Sequence, residues 1–138
     1  MITQADQMNE AVVAKIWQEW FTKANLVRKY LPPNFPKIVT LCGSTRFKNA
    51  FIQTNRDLTA QGIIVLSVGW FNHDHLTTAP PTEEQKVMLD ELHKRKIDLS
   101  DEILVLNVDG YIGDSTRSEI EYAQANNKVI KYLNPVTE

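Results

Sequence analysis

The sequence predicts an α/β protein: a small doubly wound, Rossmann-like parallel sheet with an added N-terminal amphipathic helix. Two patterns carry that reading. Beyond residue 36, short runs of β-branched and aliphatic residues alternate with longer stretches of helical character, as strands do when crossover helices join them. The runs are continuous rather than alternating in polarity, which marks strands covered on both faces. Size agrees, since 138 residues with 43% hydrophobic content suit one globular domain and exclude both a multi-domain enzyme and a disordered chain.

The elements follow in order. Val13, Ile16, Trp17, Trp20, Phe21, Ala24, Val27 and Leu31 recur at spacings of three and four, so about residues 6–31 are expected to form a helix with one apolar stripe. That stripe needs a cover, first the protein's own core and second a subunit interface. Pro32-Pro33-Asn34-Phe35-Pro36 ends the helix, because proline cannot continue it and restricts the residue before it. The chain therefore divides into a helical extension, residues 1–34, and an α/β domain, residues 35–138. In the domain, Lys37 to Cys42 reads as a strand and Thr45 to Gln61 as a helix with Phe47, Phe51 and Leu58 inward. Gly62, able to take a positive φ, stops that helix. Ile63 to Val68 is a second strand, Gly69 to Pro81 a long loop, and Thr82 to about Leu99 a helix. Glu102 to Asn107, Ser115 to Asn126 and Lys128 to Leu133 complete the pattern as strand, helix and strand.

Charge and cysteine content narrow the partners. With 15 basic against 17 acidic residues and no basic run, nothing favours a nucleic acid polymer or an anionic membrane. The single cysteine, Cys42, makes no internal disulfide, the first residues lack the basic and apolar regions of a signal peptide, and no apolar run approaches the ~20 residues of a membrane helix. A cytoplasmic protein is the expectation.

Ligands of such sheets bind beyond the carboxyl ends of the strands. Gly43-Ser44-Thr45-Arg46, Gly69 to Pro81, and Asp109 to Thr116 fall at that edge and are rich in glycine, hydroxyls and charge, whereas the opposite edge reads as plain. Ser44 and Arg46 lead into a helix N-terminus, where free N–H groups and a guanidinium suit a phosphate monoester. The plainer reading makes Ser44 or Thr45 an N-cap. Neither a P-loop nor a dinucleotide glycine motif occurs, and Cys42 lies too near Arg46 for a cysteine-phosphatase loop, leaving it an inert strand-end residue. Thr116 and Glu119 have the spacing of a capping box; alternatively Glu119 faces the bound ligand as a carboxylate able to attack a sugar carbon. His73-Asp74-His75 lacks a third metal ligand and reads as a loop or lid beside the pocket. His93, flanked by Lys94, Arg95 and Lys96, reads on its own as part of a solvated basic face.

Val39-Thr40-Leu41-Cys42-Gly43-Ser44-Thr45-Arg46, with Asp101-Glu102-Ile103-Leu104-Val105 and Ser115 to Ala123, resembles the nucleoside 2-deoxyribosyltransferase superfamily, and within it the 2′-deoxynucleoside 5′-monophosphate N-glycosidases. The resemblance covers about residues 37–133. It implies a doubly wound, usually dimeric fold that cleaves or exchanges the base–sugar bond of a nucleoside 5′-monophosphate with no metal and no organic cofactor. It implies Glu119 as the nucleophile on the anomeric carbon. Ser44 and Arg46, with the hydroxyls of Ser115, Thr116 and Ser118, match phosphate contacts; beside them Gly43 and Asp114 are candidate substrate contacts, and Thr40, Trp70, His73 and His75 are candidate base or lid contacts from their place at the same edge. This chain departs from the family pattern in carrying Thr40 for a first-strand tyrosine and His93 for the aspartate that helps protonate the departing base. A histidine there acts as the acid with a pKa nearer neutrality, or else the acid is lost. A non-catalytic nucleotide sensor, or a structural module using these residues only as caps, are the other readings.

Overall fold

The computed structural model describes residues 26–71 and 79–136; the stripe carrying Trp17, Trp20 and Phe21, and the loop histidines His73 and His75, lie outside the described residues. The described elements are α1 (Leu26–Lys29), β1 (Ile38–Cys42), α2 (Lys48–Ala60), β2 (Ile64–Leu66), α3 (Glu83–Leu99), β3 (Glu102–Val105), a 3-10 turn (Val108–Gly110), α4 (Asp114–Ala125) and β4 (Val129–Tyr132). The strands form one parallel sheet in the order β2-β1-β3-β4, so the expected fold class is the observed one.

Side-chain alternation along β1 explains the two coverings. Val39 and Leu41 pack with Phe51 of α2 and Leu106 on one face. Cys42 packs with Ile97, Ile103, Val105, Ile120 and Ala123, bringing α3 and α4 onto the other. The central strands are thus buried on both sides, as their unbroken apolar runs require. From β1 the chain moves out to β2, then crosses back to β3 and on to β4. The reversal lies between β1 and β3, and the segments leaving those strands run to opposite faces and open a crevice there. Gly43 sits at its base, where a Cβ would lie 3.1 Å from the Leu106 Cβ and 3.2 Å from its carbonyl oxygen.

Local starts and stops differ from the sequence reading in informative places. Gly62 ends α2 as expected, at φ +81°. The helix itself begins at Lys48, with Phe47 as a cap residue that makes no side-chain cap bond, so neither Ser44 nor Thr45 is its N-cap. Gly43 to Arg46 instead form a turn closed by the Phe47 amide on the Ser44 carbonyl at 3.1 Å. α4 begins at Asp114 after Gly113, again without a side-chain cap bond. The Thr116–Glu119 capping box therefore does not exist: Thr116 is inside the helix and buried, and Glu119 lies beyond the first turn. The genuine capping box opens α3, where Thr82 Oγ1 accepts from the Gln85 amide and the Gln85 side chain accepts from the Thr82 amide.

The amino edge of the sheet, expected to be plain, is heavily charged. Arg28 reaches past the expected boundary at residue 34 to donate to the Asp101 carboxylate at 2.9 and 2.5 Å and to the carbonyls of Phe35 and Pro36. Asp101 also accepts from the Ile38 amide at 2.8 Å, tying α1, β1 and the start of β3 together. Nearby, Asp98 accepts from the Tyr122 hydroxyl at 2.6 Å and pairs with Arg95 Nε at 2.9 Å. Lys128 donates to the carbonyls of Asp98 and Ser100.

Candidate active site

A cavity of about 360 Å³ opens at the carboxyl edge over the reversal point. That is within the range of small-molecule sites. Its wall includes Gly43, Ser44, Thr45 and Arg46 after β1, Val68, Gly69 and Trp70 after β2, and Tyr111, Gly113, Asp114, Ser115, Thr116 and Glu119 around the start of α4. α3 contributes Lys86, Asp90, His93 and Lys96. Residues far apart in sequence share this space because parallel strands all deliver their following segments to one edge.

At one side, Ser44 Oγ accepts from Arg46 Nε at 3.2 Å, and the Arg46 guanidinium stacks 4.3 Å over the Tyr111 ring. The stacking holds a planar cation at the cavity mouth, and no acidic group among the described residues pairs with it. The uncapped first turn of α4 adds backbone N–H groups without helical acceptors. Together they put a cation and free N–H donors on one side of the cavity.

At the floor lie Glu119, His93 and Cys42. Glu119 and His93 have side chains only 12% and 7% exposed, with Nε2 to Oε2 at 3.9 Å. The Cys42 Sγ is 3.6 Å from the same Nε2. Burial pushes the Glu119 carboxyl up to about 7; the Cys42 thiol beside it pulls the other way, Asp90 adds to the rise and Lys94 opposes it. Burial lowers His93 to about 4, the Lys96 charge adds to that, and a hydrogen bond with the Leu41 backbone offsets part of it. Burial likewise drives the Cys42 thiol well up, with the Glu119 charge reinforcing it. Near neutrality the imidazole is therefore neutral, and Glu119 is the group poised between its two forms. Glu119 Oε2 has no hydrogen-bond partner among the described residues.

Most sequence candidates meet here, but several placements change. His93 is no part of a solvated basic face; it is buried, because its position on α3 faces β1 while Lys94 to Lys96 surround it only along the chain. Its pKa does not sit nearer neutrality, since burial and the Lys96 charge both press it down. Thr40 is fully buried away from the cavity, its hydroxyl donating to the Lys96 carbonyl at 3.0 Å. Ser118 is exposed and does not line the cavity. Cys42 is at a strand end as expected, buried and in contact with His93. The sequence reading passed over Tyr111, Lys86 and Lys96. Tyr111 lies in the glycine-bearing segment after β3, and the lysines recur at helical spacing with Asp90 and His93, a signal strong enough to have marked one face of α3.

Cys42, His93 and Glu119 each offer one ligand atom, all within 4.8 Å of one another, and are the residues here able to hold a metal ion. No family model, curated protein or solved structure matches this chain. No helix among the described residues is long and apolar enough to cross a membrane.

Proposed function

We propose that the protein is an N-glycosidase or base-exchanging transferase acting on a nucleoside 5′-monophosphate of the cytoplasmic pool, with Glu119 as nucleophile. The supporting observation is the common cavity. A turn carrying Ser44 and Arg46 forms one part of its wall, and a buried carboxyl with an oxygen unpartnered among the described residues forms another. In this reading the phosphate is held by Ser44, Arg46 and the α4 N-terminus, while Asp114 suits a sugar hydroxyl. Ionised Glu119 attacks the anomeric carbon, the bond to the base breaks, and the base leaves with the electron pair and takes up a proton. Water, or a second base, then releases the sugar from the glutamyl ester. His93 enters as a neutral ring 3.9 Å from the Glu119 carboxyl. The base takes its proton from solvent, and the α3 wall of the cavity also carries Asp90, Lys86 and Lys96.

One observation favours a nucleotide-binding protein without turnover: the histidine at the acid position stores no proton at neutral pH. Incubation with nucleosides and their monophosphates, followed by separation of free base, distinguishes the two. Base release from monophosphates, absent with the bare nucleosides, supports the enzyme; calorimetric binding without release supports the sensor. Silence in both assays overturns both. The resemblance also implies a homodimer, for which Val87, Met88 and Leu92 are exposed apolar residues of α3. Sedimentation at micromolar concentration as a single 15.8 kDa species overturns that part.

A further inference from the structure

We propose that Cys42, His93 and Glu119 form a binding site for a divalent transition-metal ion, zinc fitting best, and that the bound ion occupies the carboxylate the proposed reaction needs. The second half rests on the proposed function; the first stands on geometry alone.

The donor set is a thiol sulfur, an imidazole nitrogen and a carboxylate oxygen, the three protein donors zinc takes. With metal distances of ~2.3 Å to sulfur and ~2.0 Å to nitrogen and oxygen, a tetrahedral ion holds sulfur and nitrogen about 3.5 Å apart and nitrogen and oxygen about 3.3 Å apart. The observed separations are 3.6 Å for Sγ to Nε2 and 3.9 Å for Nε2 to Oε2. The first edge already matches, and the second closes with a shift of about half an ångström, within reach of a glutamate rotamer adjustment. The third edge is no longer than 4.8 Å.

The support behind the ligands also fits. They come from β1, α3 and α4, whose packing against one another holds them in place. Glu119 and His93 face the cavity, so the fourth coordination position opens toward solvent or substrate. The buried, partnerless Glu119 Oε2 gains a partner when an ion binds. A thiolate and an imidazole disfavour magnesium and calcium, which take oxygen ligands. A bound ion draws on the lone pair with which Glu119 attacks, so metal binding and base release compete.

The test uses the full chain, stripped with a chelator and then given cobalt(II) or zinc. Cobalt is expected to give the strong visible bands of a tetrahedral site and a near-ultraviolet thiolate charge-transfer band, saturating at one ion per chain. Zinc should displace it. Cys42→Ser should remove the charge-transfer band while melting as a folded protein. His93→Gln should weaken zinc, read by competition with a chromogenic chelator, by more than the ~10–100-fold that losing an outer-shell partner costs. Weak octahedral cobalt bands with no charge transfer in the unmodified protein overturn the site, whether or not any variant folds. Where base release is measurable, zinc should suppress it and a chelator restore it; full release from zinc-saturated protein overturns the competition alone. Absence of base release under all conditions counts against the proposed function and leaves the spectroscopic result to decide the metal site.

Discussion

Asp101 at the amino edge of the sheet and Glu119 at the carboxyl edge are both carboxylates withdrawn from water, and burial pushes both upward. At Asp101 the push is overcome by the Arg28 guanidinium and the Ile38 amide, which hold the group below its usual value. At Glu119 no cation bonds the carboxylate, and it rises to about 7. The same helices show the contrast twice, since Asp98 of α3 and Tyr122 of α4 bond each other while His93 and Glu119, on those helices too, stand 3.9 Å apart. A buried polar group with its partners in place rigidifies; one without them costs stability, and the fold retains it at a cavity. The amino edge ties helices and strands together, and the carboxyl edge keeps a buried carboxyl beside a cavity.

Glu119→Gln presses hardest on that difference. Base release is expected to fall on the order of 10⁴-fold or more, because an amide cannot attack the anomeric carbon. The same variant should melt no lower than the unmodified protein near pH 8, where the native carboxylate is charged and buried. Free-base chromatography and thermal melting read the two effects separately. A normal rate of release from a normally melting variant removes Glu119 from the chemistry.

Stripped of metal, the Glu119 and His93 pair should oppose each other in the pH dependence of stability. Between 4.5 and about 7 the folded protein keeps a Glu119 proton that the unfolded chain releases, so stability falls as pH rises. Between about 4 and 6.5 the unfolded chain binds a His93 proton that the folded protein refuses, so stability rises with pH. Each slope reaches at most ~1.4 kcal/mol per pH unit, and where they overlap they cancel. Denaturant unfolding in chelator should therefore show a rising profile over this range for Glu119→Gln and a falling one for His93→Gln. Parallel profiles for the two variants would mean that burial does not set these protonation states.

At the amino edge, Asp98→Ala removes the acceptor of the Tyr122 hydroxyl, while Arg95 keeps its contacts with that hydroxyl and with Glu91, and it should cost about 2–3 kcal/mol, the upper part of the range for a buried donor left without its acceptor. Urea unfolding measures it, and base release per folded molecule should not change. Arg46→Ala should have the smallest effect, a loss of about 1.5–3 kcal/mol in monophosphate affinity with unchanged nucleoside affinity and melting. Equal calorimetric losses for both ligands would show that Arg46 does not hold the phosphate.

How much was legible follows from the range over which each signal acts. The apolar runs of β1 and β3, the stop at Gly62 and the polarity of the carboxyl edge are local patterns, and each led to the observed element or edge. The convergence of Gly43 to Arg46 with Glu119 followed from parallel topology alone, because every strand of a parallel sheet points its end the same way. Where two local patterns competed, the reading failed. Thr116 and Glu119 have capping-box spacing, but α4 starts at Asp114 and carries Glu119 past the turn where a cap can act.

The sequence by itself determined the class of fold and the edge where a site can form, since periodicity and turn residues act through near neighbours along the chain. Only the tertiary structure decided which polar groups are partnered. Arg28 and Asp101 are 73 residues apart, and nothing near either announces the other. His93 looks solvated among its basic neighbours and becomes buried because α3 crosses β1 at that turn. Cys42 meets it across 51 residues of chain. Desolvation and pairing depend on the three-dimensional surroundings of a group, and those surroundings exist only once the sheet has brought β1, α3 and α4 together.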